Sequence, residues 1–235
     1  MSWMDSVTPA DWVRWCSQFD ALRDEVLGLH HSRRVWRVVR GMIETIPRVQ
    51  RSGIVEHWLT QCYSVAQLAA VRRQVDQRKD VVSLWRLLDG LARRPAMATR
   101  SWFTAQLQSR PESAPHATRL VTEFDKLAGA GGSTVDKRVA EADRDHLWTV
   151  AEAAKSVVDQ FVAHQAHVTH PEHRGPALIT WGELDAAIDT VGELYKKYYR
   201  LRYPGILLGN LEPHLPTGWD RIGSVKITAL SHFRW

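Results

Sequence analysis

Apolar residues in this chain recur three and four positions apart, bracketed by helix start and stop signals, while strand signals are nearly absent. Such a pattern predicts an all-α bundle of long antiparallel helices. Thr8, Pro9 and Asp11 supply an N-cap, a first-turn proline and a first-turn acid, and Trp12, Trp15, Phe19 and Leu22 follow at helical spacing. A second helix is expected from Ser32, with Val35, Val38, Val39, Met42 and Ile46 on one side and an end or kink at Pro47. The third, over 54–75, carries Ile54, Trp58, Cys62, Val65, Leu68 and Val71 along one stripe. A fourth runs from an Asp80 cap to a stop at Pro95, and a shorter one over 98–107 fades into a loop broken by Pro111 and Pro115.

The longest periodic stretch is 134 to about 169, with Leu147, Val150, Ala154, Val157, Val158 and Phe161 as its apolar stripe. Ser133 and Thr134 read as its caps after a glycine-rich linker. Thr180 and Glu183 form a capping box for a last helix to about Tyr199. From Tyr203 the chain is rich in Pro and Gly, and 224–230 reads as a short strand or extended arm. The expected organisation is a basic helical half, 1–127, a second helical half, 134–203, packed on it as one domain, and a short extended C-terminal tail, 204–235.

Charge sharpens that division. Residues 1–110 carry 17 Lys/Arg against 10 Asp/Glu, a balance of +7, whereas 111–235 carry 14 against 16, a balance of −2. A basic first half would suit an anionic partner, nucleic acid above all, while the absence of any run of five like charges equally suits two plainly solvated surfaces. No apolar run approaches the roughly 20 residues that span a bilayer, so no membrane partner is expected. Residues 1–12 show no leader pattern and only Cys16 and Cys62 are present, so a cytoplasmic setting is expected. Most helices carry a tryptophan at an inward-reading position (Trp12, Trp36, Trp58, Trp85, Trp102, Trp148, Trp181), which reads as core anchoring rather than base stacking.

Two groups of cations are candidates for RNA contact. Arg33, Arg37 and Arg40 fall on one helix face opposite the valines, with Arg72 and Arg73 as a further pair. Lys196, Lys197 and Arg200 are interleaved with Tyr195, Tyr198 and Tyr199, a texture that suits RNA and equally suits a packed aromatic stripe. His164, His167, His170 and His173 are spaced by three. Each step of three rotates a helical side chain back by about 60°, so four of them fan over half the circumference and cannot share one ion while helical. Pro171 also ends the helix; with no cysteine nearby, no metal or other cofactor is expected. The glycines of 128–132 lack the Gly-Lys-Ser/Thr ending of a phosphate loop and read as a linker.

The stretches 158–167, with Ala163-His164, and 179–201, opening on Thr180-Trp181, resemble the HEPN superfamily of helical domains, and within it the abortive-infection-U type of bacterial anti-phage systems. Segment 71–95, with Asp76 and Ser83-Leu84, is similar to the same branch. The resemblance implies a metal-independent ribonuclease working on RNA across a homodimer. His164 would be the general acid/base, with His167 and Asp159 as orienting neighbours. It also implies an arginine shortly before that histidine, whereas this chain has Asp159-Gln160 there. Matches to the bare Arg-His pattern elsewhere, Arg51…His57 among them, occur as often as chance supplies. An arginine from the basic half, such as Arg72 or Arg73, would have to provide the missing charge. The competing expectation is a catalytically inert helical module that binds a partner protein, in an antitoxin or scaffold role.

Overall fold

The computed structural model of the protein describes residues 8–45, 53–111, 117–162 and 179–206, with 208 and 211. It is an all-α bundle, and among the described residues no strand forms beyond an isolated bridge between Thr99 and Thr134. The helices are α1 (Pro9–Ala21), α2 (Arg23–Glu44), α3 (Ile54–Gln74), α4 (Leu84–Arg93), α5 (Arg100–Gln108), α6 (Ala117–Ala128), α7 (Lys137–Val157) and α8 (Trp181–Arg202). A 3₁₀ turn, Pro95–Met97, follows α4, and a π turn, Val158–Val162, continues α7. Helix α7 is the central post, packing against α3, α4 and α8, while α5 and α6 pair beside it. The core does not divide at the glycine-rich turn: Leu84 and Leu88 of α4, Leu147 of α7 and Ile188 of α8 belong to one buried cluster. Each such side chain contributes about 2 kcal/mol by leaving water. Among the described residues no helix is long and apolar enough to cross a membrane.

Local chemistry explains most boundaries. Thr8 caps α1 and the Thr180–Glu183 capping box forms as expected, and Asp11 adds a second box with Thr8; in each, the hydroxyl accepts from the third residue's N–H while that residue's carboxylate returns to the cap. Helix α2 is one continuous rod from Arg23 rather than a start at Ser32, because nothing between Leu22 and Ser32 breaks it. Asp80 is not the cap of α4. Ser83 takes that place, its Oγ accepting from Arg86 N and donating to the Asp76 carbonyl at 2.6 Å. Likewise α7 is capped by Asp136, not by Ser133 or Thr134. Those two residues lie against the start of α5, where Arg100 N donates to the Ser133 carbonyl. The turn before them needs glycine at Gly129 and Gly131, both at positive φ.

The tryptophan expectation holds for part of the set. Trp36 is buried beside Tyr63, Trp12, Trp85, Trp102 and Trp148 pack half-buried against the core, and Trp181 is exposed. Trp58 departs from it: the ring is 61% exposed, and the upstream half of the expected α3 stripe, Ile54 through Val65, faces outward. Only Leu68 and Val71 of that stripe enter the core. Periodicity finds a helix's apolar face but not whether another element covers it.

Candidate functional site

Two of the residues singled out from sequence meet where α3 passes the end of α7. Arg72 Nε donates to Asp159 Oδ1 at 3.0 Å, and its Nη1 donates to Asp76 Oδ2 at 2.7 Å. Lys155, one helical turn before Asp159, closes on the other Asp159 oxygen. Arg78 reaches back over Asp76, whose Oδ1 also accepts from the Arg78 backbone N–H at 3.0 Å. A hollow of about 360 Å³ opens among these groups, bounded by Arg72, Asp76, Arg78, Trp148 and Lys155. The Lys155 ammonium lies 5.9 Å from the centre of the Trp148 ring.

Sequence and fold place these groups together for separable reasons. Arg72 and Asp76 are four apart at the end of α3, and Lys155 and Asp159 are four apart at the end of α7, so each pair stacks along its own chain. Packing of α3 on α7 then makes the cross-link. The Ser83 hydroxyl fastens the Asp76 carbonyl to the start of α4, which holds the intervening loop against the site.

Three cations surround two carboxylates, and both carboxylates are ionised in the folded protein. Burial pushes the Asp159 carboxyl up, but hydrogen bonds from Lys155 and Arg72 outweigh it and hold it below the usual carboxylate range. Asp76 behaves alike: burial raises it, while the Arg78 N–H and the Arg78 and Arg72 guanidiniums bring it lower. The oxygens of Asp159 are thus occupied by Lys155 and Arg72. His164 and His167, the acid/base and neighbour that the resemblance implies, lie outside the described residues, as do Arg51 and most of the tail, 224–230 included. Among the described residues no group of three or more His, Cys, Asp or Glu is placed to hold a metal ion.

The remaining candidate cations are each claimed by a carboxylate. Arg33, expected on an outward basic face, is buried. Its Nη2 donates to Asp189 at 2.7 Å and its Nη1 lies near Asp185, because these two α8 acids fall four apart and face α2. Arg37 also pairs with Asp185, Arg40 with Glu44, and Arg73 with Glu25. On α8, Lys196 pairs with Glu193, Lys197 with Asp143, and Arg200 with Glu123. The interleaved tyrosines are core: Tyr195 and Tyr198 are fully buried, and the Tyr198 hydroxyl donates to Asp143 at 2.8 Å. Sequence reasoning missed Arg78, Lys155 and Trp148. The i,i+4 spacing of Lys155 to Asp159 was the available signal.

Comparison with protein-family models, with curated proteins and with solved structures finds no match to this chain.

Proposed function

We propose that this protein is a HEPN-like helical protein of bacterial defence that binds RNA, and cuts it without metal, at the junction of α3 and α7. The observation that carries this reading is the meeting of Arg72, Arg78 and Lys155 around a small hollow beside Asp159, which precedes His164 by five positions in the sequence. Three cations against two committed carboxylates leave a net positive site, which suits one backbone phosphate. Arg72, from another helix, would supply the arginine that the chain lacks before His164. In this reading His164 transfers the proton, and Arg72 with Arg78 stabilises charge developing on the phosphate. A second copy of the chain would complete the cleft.

The test is binding and cleavage of single-stranded RNA and tRNA by the wild type, Arg78→Gln, Lys155→Gln and His164→Ala. Binding should weaken about tenfold in the two cation variants. Cleavage should vanish in His164→Ala while its binding persists. Wild-type protein that neither binds nor cuts RNA ends this reading.

A second reading has its own observation. Ile54, Val55, Trp58 and Val65 on α3 are exposed, Ile54 by 73%, beside a hollow of about 780 Å³ lined by Trp58, Cys62 and Val65. A row of outward apolar side chains on one helix favours an interaction module that holds a partner protein or a second copy. Light scattering of the wild type and Trp58→Ser separates the two: loss of an assembly in the variant, with no RNA affinity in either, selects the module.

A further inference from the structure

A different part of the basic half holds three cations that form no ion pair among the described residues. Helices α1 and α4 lie side by side, tied where Trp15 donates its indole N–H to the Leu87 carbonyl. Above that contact is a polar cleft of about 370 Å³. Arg14 from α1, Lys79 from the loop before α4, Arg86 and Arg93 from α4, and Arg94 at its end all border it. Two carboxylates, Asp11 and Asp89, share the walls, so five positive charges stand against two negative, a balance of +3.

Both carboxylates are committed. Asp11 Oδ2 accepts from Thr8 N and Oγ1 in the capping box, and Oδ1 accepts from Arg94 at 2.9 Å. Asp89 is divided between Arg93 and Arg144, at 2.9 Å each. No ion pair reaches Arg14, Lys79 or Arg86 among the described residues. The Arg86 guanidinium is held by the carbonyls of Arg78 and Val81, at 2.8 and 3.2 Å, which fixes its position without cancelling its charge. That contrasts with the candidate cations of α2 and α8, every one of which has an acidic partner.

We propose that the cleft between α1 and α4 is a second phosphate-binding site, in which Arg14, Lys79 and Arg86 hold backbone phosphates of the same single-stranded RNA that meets Arg72, Arg78 and Lys155. It rests on the RNA-binding reading. Two guanidiniums and an ammonium with free charge match a phosphate's oxygens. The cleft is too small for a folded partner and of the right scale for a phosphodiester and its sugar. Lys79 follows Arg78 in the chain, and Arg78 borders the first hollow while Lys79 borders the second. One extended polyanion therefore passes from one to the other across a single loop. An acidic peptide would feel the same field, so polyglutamate is the comparison polyanion in the test.

The experiment is a salt titration of affinity for a 5′-labelled oligouridylate of about 12 nucleotides. It compares the wild type with Arg14→Gln/Lys79→Gln and with Arg78→Gln/Lys155→Gln. The first double variant breaks no ion pair, so circular dichroism and thermal unfolding should match the wild type. Its slope of log affinity against log salt should shrink by about 1.4, and affinity should fall about tenfold near 0.1 M salt. Wild-type binding with an unchanged slope and affinity in Arg14→Gln/Lys79→Gln overturns this cleft and leaves the first hollow standing. Loss in Arg14→Gln/Lys79→Gln but not in Arg78→Gln/Lys155→Gln supports the cleft while removing the proposed site around Arg72. A wild type that ignores RNA yet binds polyglutamate through Arg14 and Lys79 overturns the RNA assignment for both. No binding of either polyanion does the same.

Discussion

Helices α2 and α8, and the cleft between α1 and α4, contain similar numbers of cations in the sequence, and the fold uses them in opposite ways. On the first, Arg33, Arg37, Lys196, Lys197 and Arg200 each meet an aspartate or glutamate, and Arg33 is drawn into the interior to do so. In the second, Arg14, Lys79 and Arg86 have no ion pair among the described residues, while Arg93 and Arg94 pair with Asp89 and Asp11. The difference comes from acids on the facing helix. Helix α8 presents Asp185 and Asp189 four residues apart toward α2, whereas the acids at the α1–α4 contact are consumed by a helix cap and by neighbouring arginines. Cations that hold a fold together and cations that stay available look alike in a sequence; what separates them is whether a partner element brings a carboxylate.

That contrast can be broken by mutation. The largest expected effect is on the α2–α8 side, where Arg33→Ala should cost about 2–3 kcal/mol in urea unfolding. It removes a buried guanidinium that two acids and His30 contact. The figure stays below that of a fully buried pair because Asp185 and Asp189 keep much of their exposure. A cost under about 0.5 kcal/mol would mean that the α8 acids do not recruit Arg33.

Next comes acid. Asp76, Asp159 and Glu123 are all held below the usual carboxylate range by neighbouring cations despite burial that raises them. Their folded values lie below those of the unfolded chain, so as pH falls the unfolded chain takes up protons first. The stability they supply is fully present above about pH 4–5 and is lost as pH drops through the folded values. The urea midpoint should therefore be flat from pH 7 to about 5 and then decline, with a shallower decline in Asp76→Asn. An equally steep decline in that variant would remove Asp76 from the group.

A smaller effect is expected at the capping box of α8. Thr180→Ala should cost about 1 kcal/mol, since the bond from Glu183 N to the hydroxyl and the hydroxyl's own bond to the Glu183 carboxylate are both lost. The smallest effect is back in the cleft, where Arg14→Gln/Lys79→Gln should leave stability within about 0.5 kcal/mol of the wild type. Thermal unfolding of these variants side by side shows whether the two regions separate as described.

What could be read from the sequence follows the same line. Helix identity, the Thr8 cap and the Thr180–Glu183 capping box were legible, because Thr8, Pro9, Thr180 and Glu183 act within a few residues of the helix starts they set. The Asp80 and Ser133/Thr134 caps were misplaced, since several acceptor side chains precede each helix and only tertiary contacts choose among them. Ser83 wins its cap while also holding the Asp76 carbonyl, and Asp136 caps α7 while Ser133 is used by α5. The outward half of the α3 stripe shows the same limit, as Trp58 and Leu68 lie on one stripe yet differ from 61% to 5% exposure. At the candidate site, Arg72 and Asp159 were named separately, 87 positions apart, and the hydrogen bond joining them was not readable from either.

The most direct test of the distinction between committed and available cations is one RNA salt titration on two matched double variants, Arg14→Gln/Lys79→Gln and Arg37→Gln/Lys196→Gln. Each removes two positive charges, so net charge cannot separate them. A flattened salt dependence in the first and a wild-type dependence in the second is the predicted result. The reverse, or equal flattening in both, would contradict it, because RNA would then be reading total charge rather than the cleft between α1 and α4.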